Sequence, residues 1–332
     1  MAFDNYAPAP STDKPAVDYD ALNRYVVEEC KLQQPETMLG VISMIVDLGT
    51  QKQNDATYKL EGDDVGLTAE QLTVKYAKEI AEGKISKFAD AYDSDSSSWL
   101  LQKFVPQKPH QSIAYAVDFP DIMLDKGKFF GEDNPNPKPL RMWIGGQYWN
   151  KHIGEKGKML VQNVIPLKVT KDDKITGWTM NPLSSMYKMA LAAKLIQTDE
   201  AFLPENIDAL LGKTLQFKAQ IFFKKGKDGK EYYTEKLAYA AGMARGQAER
   251  QLDATYLIQF KQDNDPQGLK ELRGHIVNTI QNATNYEGSA IQKQFEALKG
   301  GQAQPAAAQA APAATKPVAP TAPADLDDDM PF

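Results

Sequence analysis

Cationic and aromatic side chains are interleaved at two places in this chain. The first holds Arg141, Trp143, Tyr148, Trp149 and Lys151, with Gly145-Gly146 between them where a backbone can be approached closely. The second holds Phe217, Lys218, Phe222, Phe223, Lys224, Lys225, Lys227, Lys230, Tyr232, Tyr233 and Lys236. Cations neutralise phosphates and release their counterions, and flat rings stack on unpaired bases at about 1–3 kcal/mol per base. Both together point to a surface for single-stranded nucleic acid. A ring in a strand belongs to a core more often than to a platform, so strand alternation has to sort them. Phe217, Ala219, Ile221 and Phe223 share one face and are expected in the core. Lys218, Gln220, Phe222 and Lys224 share the other, so Lys218, Phe222 and Lys224 are expected to meet DNA, joined by Lys225, Tyr232 and Lys236. Of the two tryptophans, Trp149 beside Lys151 is expected to be the more exposed.

The formal net charge of −6 runs against such a surface until its distribution is read. Residues 140–180 hold seven Lys or Arg against three acids, and residues 210–245 hold eight against three. Acids gather instead at 55–70, 90–95 and in the last eight residues. Other chemistries fare poorly. One cysteine, Cys30, and three scattered histidines, His110, His152 and His275, make neither a disulfide nor a structural zinc site, and the lone thiol fits a reducing cytoplasm. Asp228-Gly229-Lys230 matches half of a magnesium-nuclease motif but falls at an expected hairpin turn. Gly154-Glu155-Lys156-Gly157-Lys158 lacks P-loop spacing. Asp63-Asp64 and Asp172-Asp173 read as solvated loops. No catalytic residue, metal or cofactor is expected. The first residues lack a basic and then apolar leader, and no apolar run approaches 18 residues.

The elements that must position these residues are legible in part. Residues 39–50 read as a buried strand, because β-branched residues cluster and glycines bound it. Residues 68–82 have helical apolar spacing, 93–98 read as a polar loop, and 113–119 as a strand ended by Pro120. Residues 131–139 form a Pro-rich loop, 140–144 and 159–170 strands, and 184–197 a helix. Residues 214–223 and 231–237 are two strands joined through Asp228-Gly229, a hairpin signal. A short strand at 254–260 and helices at 268–281 and 287–299 complete the body. A hydrophobic content of 42% is enough for a sizeable core. The expected organisation is a mobile segment 1–17, a body 18–299 with an insertion at 60–110, an Ala/Pro/Gln linker 300–324 expected to be disordered, and an acidic tip 325–332.

That tip, Asp325, Leu326, Asp327, Asp328, Asp329, Met330, Pro331 and Phe332, cannot be a folding element, since its aspartates repel and Pro331 removes a backbone donor. It resembles the acidic, Phe-terminated tip of bacterial and phage single-stranded-DNA-binding proteins. Gly212-Lys213-Thr214-Leu215-Gln216-Phe217-Lys218-Ala219, then a turn and Tyr232-Tyr233-Thr234-Glu235-Lys236, resembles the strand pairs of phage replicative members. A strand, a helix and a long basic hairpin over 140–245 suit their oligonucleotide-binding fold, so the expected class is mainly β within α+β, a Greek-key barrel with helical insertions. The resemblance implies sequence-independent binding and protection of single-stranded DNA in phage replication, recombination and repair, in the cytoplasm of an infected bacterium. It also implies that Asp325, Asp327, Asp328, Asp329, Met330, Pro331 and Phe332 capture replication proteins, such as a polymerase, primase-helicase or exonuclease, and compete with DNA for the groove. Homo-oligomers are compatible with this. A magnesium-dependent nuclease and a recombination mediator or adaptor are the alternatives.

Overall fold

Leu22, Val26, Val27 and Cys30 fall on one side of a helix, and the chain forms it as α1 (Tyr19–Cys30). Asp18 caps it by accepting from the Ala21 amide at 2.9 Å, and Lys31 ends it in the left-handed region with φ 55°. The computed structural model describes residues 17–93, 96–131, 134–145, 147–149, 158–160, 164–167, 177–226 and 229–299, with backbone alone at 147–149, 158–160, 164, 166 and 299. The sequence-read segments 1–16 and 300–332, with the tip, lie outside the described residues, as do Lys151 and Asp228.

In chain order there follow β1 (Glu36–Gln51), β2 (Ala56–Lys59), α2 (Ala69–Lys75), α3 (Ala77–Ala81), β3 (Lys87–Asp93), β4 (Ser98–Val105) and β5 (His110–Leu124). Next come β6 (Lys138–Gly145), β7 (Gln147–Trp149), β8 (Lys158–Leu160), β9 (Val164–Pro166), β10 (Trp178–Met180) and α4 (Ser185–Ala192). The chain continues with β11 (Thr214–Lys225), β12 (Glu231–Ala241), β13 (Tyr256–Ile258), α5 (Pro266–Lys270), α6 (Gly274–Gln281) and α7 (Ala290–Lys299). The fold is mixed α and β, with mainly antiparallel sheets. These residues divide into two compact units.

The first unit joins the residues up to Val46 with Ile113–Ile258. Its sheet runs in the order β12-β11-β1-β5-β6, and β13 pairs in parallel with β1 at Met44–Val46. Inside lie Ile42, Tyr115, Val117, Phe119, Leu140, Met142, Phe217, Ala219 and Ile221 with α1 and Met186, Met189 and Ala190 of α4. Gly40 makes the packing possible: a Cβ there would stand 2.4 Å from Val117 Cγ1 and 3.0 Å from Phe119. Strand twist curls such a sheet, and its two end strands, β6 and β12, come within 8 Å of each other Cα to Cα. Among the described residues no ladder joins them, so the closed barrel expected from the sequence is not completed by strand pairing. Closure needs hydrogen bonds in register between the end strands, and proximity alone does not make them.

The second unit joins Asp47–Ser112 with the stretch from Gln259 onwards. Its three-stranded sheet, β2-β4-β3, packs Phe88 and Leu101 against Leu72 and Ile85. The helix expected over 68–82 breaks at Tyr76, whose φ of −106° and ψ of 24° separate α2 from α3. Tyr76 donates its hydroxyl to Asp64 at 2.6 Å, which fixes the break. At the end of β1, Gly49 has φ 76°, and a Cβ there would meet Phe260 at 2.3 Å.

Candidate nucleic-acid interface

Antiparallel register sorts the hairpin of β11 and β12 into two faces. Gln220 stands opposite Lys236, Phe222 opposite Thr234 and Lys224 opposite Tyr232, while Lys218 faces Ala238. Directly opposite residues project to the same side, so these eight side chains form one face. Leu215, Phe217, Ala219, Ile221 and Leu237 form the other, in the core, with Phe223, Tyr233 and Tyr239 packed on them. The division of β11 expected from alternation is the one observed.

The outward face grades from covered to open. Gln220 and Ala238 are buried, and Gln220 donates its amide to the Gln33 carbonyl at 2.9 Å. Lys218, Phe222 and Lys236 are partly exposed, and Lys224 and Tyr232 are exposed. Three lysines and two aromatics share this face, and its eight positions carry no carboxylate. The Lys236 ammonium lies 4.5 Å from the centre of the Phe222 ring, a cation–π contact. Burial holds the Lys236 ammonium below the usual lysine range, and the Lys224 charge adds to this. Two like charges crowded on a face without a carboxylate are what a phosphate relieves.

The opposite face at the hairpin end is different in kind. Lys225 stands opposite Glu231, not beside Lys224. There the Arg24 guanidinium lies 5.8 Å from the Phe223 ring, and Asp20, Arg24, Phe223, Lys230 and Glu231 line a cleft of about 310 Å³. Its mixed charge does not favour a polyanion. Lys225 is therefore separated from Lys218, Lys224 and Lys236, with which the sequence grouped it, because one residue along a strand reverses the side.

The first sequence-read patch is only partly assembled. Along β6, Leu140, Met142 and Ile144 are buried, whereas Arg141 and Trp143 alternate with them on the other face. Arg141 donates Nε to Asp118 Oδ1 at 2.7 Å and Nη2 to Oδ2 at 2.9 Å. Asp118 is buried and also accepts from the Ser43 hydroxyl at 2.7 Å. This two-pronged ion pair ties the guanidinium to β5 and holds it from a phosphate. Trp143 is half-buried, and its indole N–H finds no acceptor among the described residues. Tyr148 and Trp149 lie in β7, paired with Met159 and Lys158 of β8, and their side chains are outside the described set.

Three exposed rings in the second unit, Tyr58, Tyr92 and Trp99, lie outside both patches that the sequence offers. Tyr92 and Trp99 flank the polar run 93–98, and a turn signal between aromatic residues was the available cue to a hairpin. Among the described residues no helix is long and apolar enough to cross a membrane. Set against protein-family models, curated proteins and solved structures, the chain matches none of them.

Proposed function

We propose that this protein binds single-stranded DNA without regard to sequence, through the outward face of the β11–β12 hairpin. One observation carries the reading: three lysines and two aromatic rings stand on one strand face without a carboxylate. Lys218, Lys224 and Lys236 neutralise successive phosphates, while Phe222 and Tyr232 offer faces to the bases. Neither interaction distinguishes one base from another, so protection of exposed single strands is the activity this chemistry suits. No reaction step is proposed, and the chain is read as a binding protein rather than an enzyme.

Strand order supports an oligonucleotide-binding type of architecture. Taken in chain order, β1, β5, β6 and β11 are a first to fourth strand, and spatially the fourth lies beside the first, then the second, then the third. That is the Greek-key order, with β12 added outside the fourth and α4 placed between the third and fourth. A partly open five-stranded barrel fits the approach of β6 to β12. On this reading the protein serves phage DNA replication, recombination and repair in the cytoplasm of an infected bacterium. The test is titration of labelled poly-dT against duplex DNA over a range of salt. Affinity for poly-dT is expected to exceed that for duplex and to fall steeply with salt. Equal or negligible affinity for both would overturn the reading.

The acidic segment Asp325–Phe332 is assigned two roles within the same proposal. A tether of about 25 residues has a root-mean-square reach on the order of 25–30 Å, and the aspartates then compete with phosphates for the lysine face. Deleting 325–332 is expected to raise poly-dT affinity at low salt, with the gain lost at high salt. Once released by DNA, the segment docks on a replication protein, Phe332 filling an apolar pocket and Asp327–Asp329 meeting a basic rim. Removing Phe332 alone is expected to abolish that capture and leave poly-dT affinity nearly unchanged. Pull-downs from infected-cell lysate that recover the same replication proteins with and without Phe332 would rule this role out.

A further inference from the structure

In the sheet β2-β4-β3, one face is divided between a core and a bare aromatic surface. Phe88 stands opposite Lys103, and Tyr92 opposite Trp99, on the β3–β4 ladder. Tyr58 stands opposite Lys103 on the β2–β4 ladder, so Tyr58, Phe88, Tyr92, Trp99, Leu101 and Lys103 share a side. Phe88 and Leu101 are packed against Leu72 and Ile85 beneath α2. The rings beyond that cover are not: Trp99 is 70% exposed, Tyr92 56% and Tyr58 46%. Tyr92 and Trp99 meet edge to face, with centroids 6.1 Å apart and planes at 69°. The Lys103 ammonium lies 5.7 Å from the Tyr58 ring. Along β4, Trp99 and Lys103 are about 13 Å apart at 3.3 Å per residue, room for a short run of nucleotides.

We propose that Tyr92, Trp99 and Tyr58 form a second binding surface, which takes unpaired bases of single-stranded nucleic acid by stacking. The inference rests on the proposed function for its ligand class. Two features of the face favour bases over an apolar partner chain. Apart from the half-buried pair Ala56 and Val105 at one end, its exposed apolar area is aromatic, since Leu101 is already packed beneath α2. Its one ring-bound cation, Lys103, is matched by the exposed Asp90 opposite Leu101. A nearly neutral face binds by ring contact, and so adds affinity that salt does not remove.

The test uses the full chain with Tyr92→Ala and Trp99→Ala together, beside Tyr92→Phe with Trp99→Phe, which keep the rings. The alanine pair is expected to weaken poly-dT binding about 5- to 150-fold, by the same factor at low and high salt. The phenylalanine pair is expected to stay within about twofold of the parent, since a stacking face is retained. A base-free deoxyribose-phosphate polymer is expected to bind the parent and the alanine pair alike. Unchanged poly-dT affinity in the alanine pair, while the parent binds poly-dT, would overturn this surface and leave the hairpin reading standing. Unchanged affinity with a smaller assembly in sedimentation would make the face a contact between copies and overturn the proposal equally. A parent chain that fails to bind poly-dT would overturn both readings.

Discussion

A chain carrying Lys218→Ala, Lys224→Ala and Lys236→Ala is expected to bind poly-dT roughly tenfold or more weakly at low salt, with a salt slope flatter by about two units. Three lost phosphate contacts, each contributing about 0.7 to the slope on a single strand, set that figure. Phe222→Ala is expected to act otherwise, weakening binding about 5- to 150-fold with the slope kept, because stacking releases no counterion. Lys225→Ala is the internal comparison. It lies on the opposite face, across from Glu231, and its effect is expected to be the smallest of the four lysines. Fluorescence titration at several salt concentrations, with circular dichroism to check folding, measures all of these. Equal losses for Lys224→Ala and Lys225→Ala would show that the outward face of the hairpin does not govern binding.

Removing Asp118 is expected to be the most damaging single change to the first unit. The carboxylate is 4% exposed and holds the Arg141 guanidinium at 2.7 and 2.9 Å. Asp118→Ala takes the two-pronged carboxylate away from a guanidinium whose side chain is only 19% exposed, at a cost of about 3–5 kcal/mol. Replacing both, Asp118→Leu with Arg141→Met, is expected to recover most of the loss, since a well-packed apolar pair removes the uncompensated charge. Arg141→Ala is expected to lower stability while leaving the salt slope for poly-dT unchanged, as a residue committed to a carboxylate counts little toward phosphates. Urea unfolding of the four proteins decides it. A loss below about 1 kcal/mol for Asp118→Ala would place this pair with exposed surface ion pairs.

The hairpin was the most legible part of the chain. Its period-2 alternation, its β-branched and aromatic residues and its Asp-Gly connection all agree, and β11 and β12 extend two to four residues past the expected ends. The run Leu39–Thr50 likewise lies within β1. Helix ends were less legible. Residues 184–197 read as one helix, yet α4 stops at Ala192 and Lys194 takes φ 58°. Leucine and alanine propensity continues past that point, but Leu195 and Ile196 turn into the core instead. The small sheet of the second unit was not legible because Lys87–Asp93 and Ser98–Val105 are short and exposed on much of their surface, with apolar residues on both faces of the second. Their alternation carries no strong apolar signal, and the partner β2 has four residues. The commitment of Arg141 was not legible either. Asp118 lies 23 residues away in sequence, and only strand register sets the two side by side.

The placement of β11 beside β1 has a consequence for how the chain is made. Glu36–Val41 pairs with residues of β11 173 to 183 positions later. At a ribosomal pace of about 5–20 residues per second, that partner emerges roughly 9–36 seconds after β1 does. In the interval β5 can take one edge of β1, but the other edge keeps its backbone donors and acceptors open beside an apolar run from Met38 to Leu48. An unpaired, β-branched edge is a template for other nascent copies. Rapid production therefore sets the yield of folded protein against the concentration of unfinished chains, and a holdase that shields this edge until Lys225 has left the ribosome relieves the conflict.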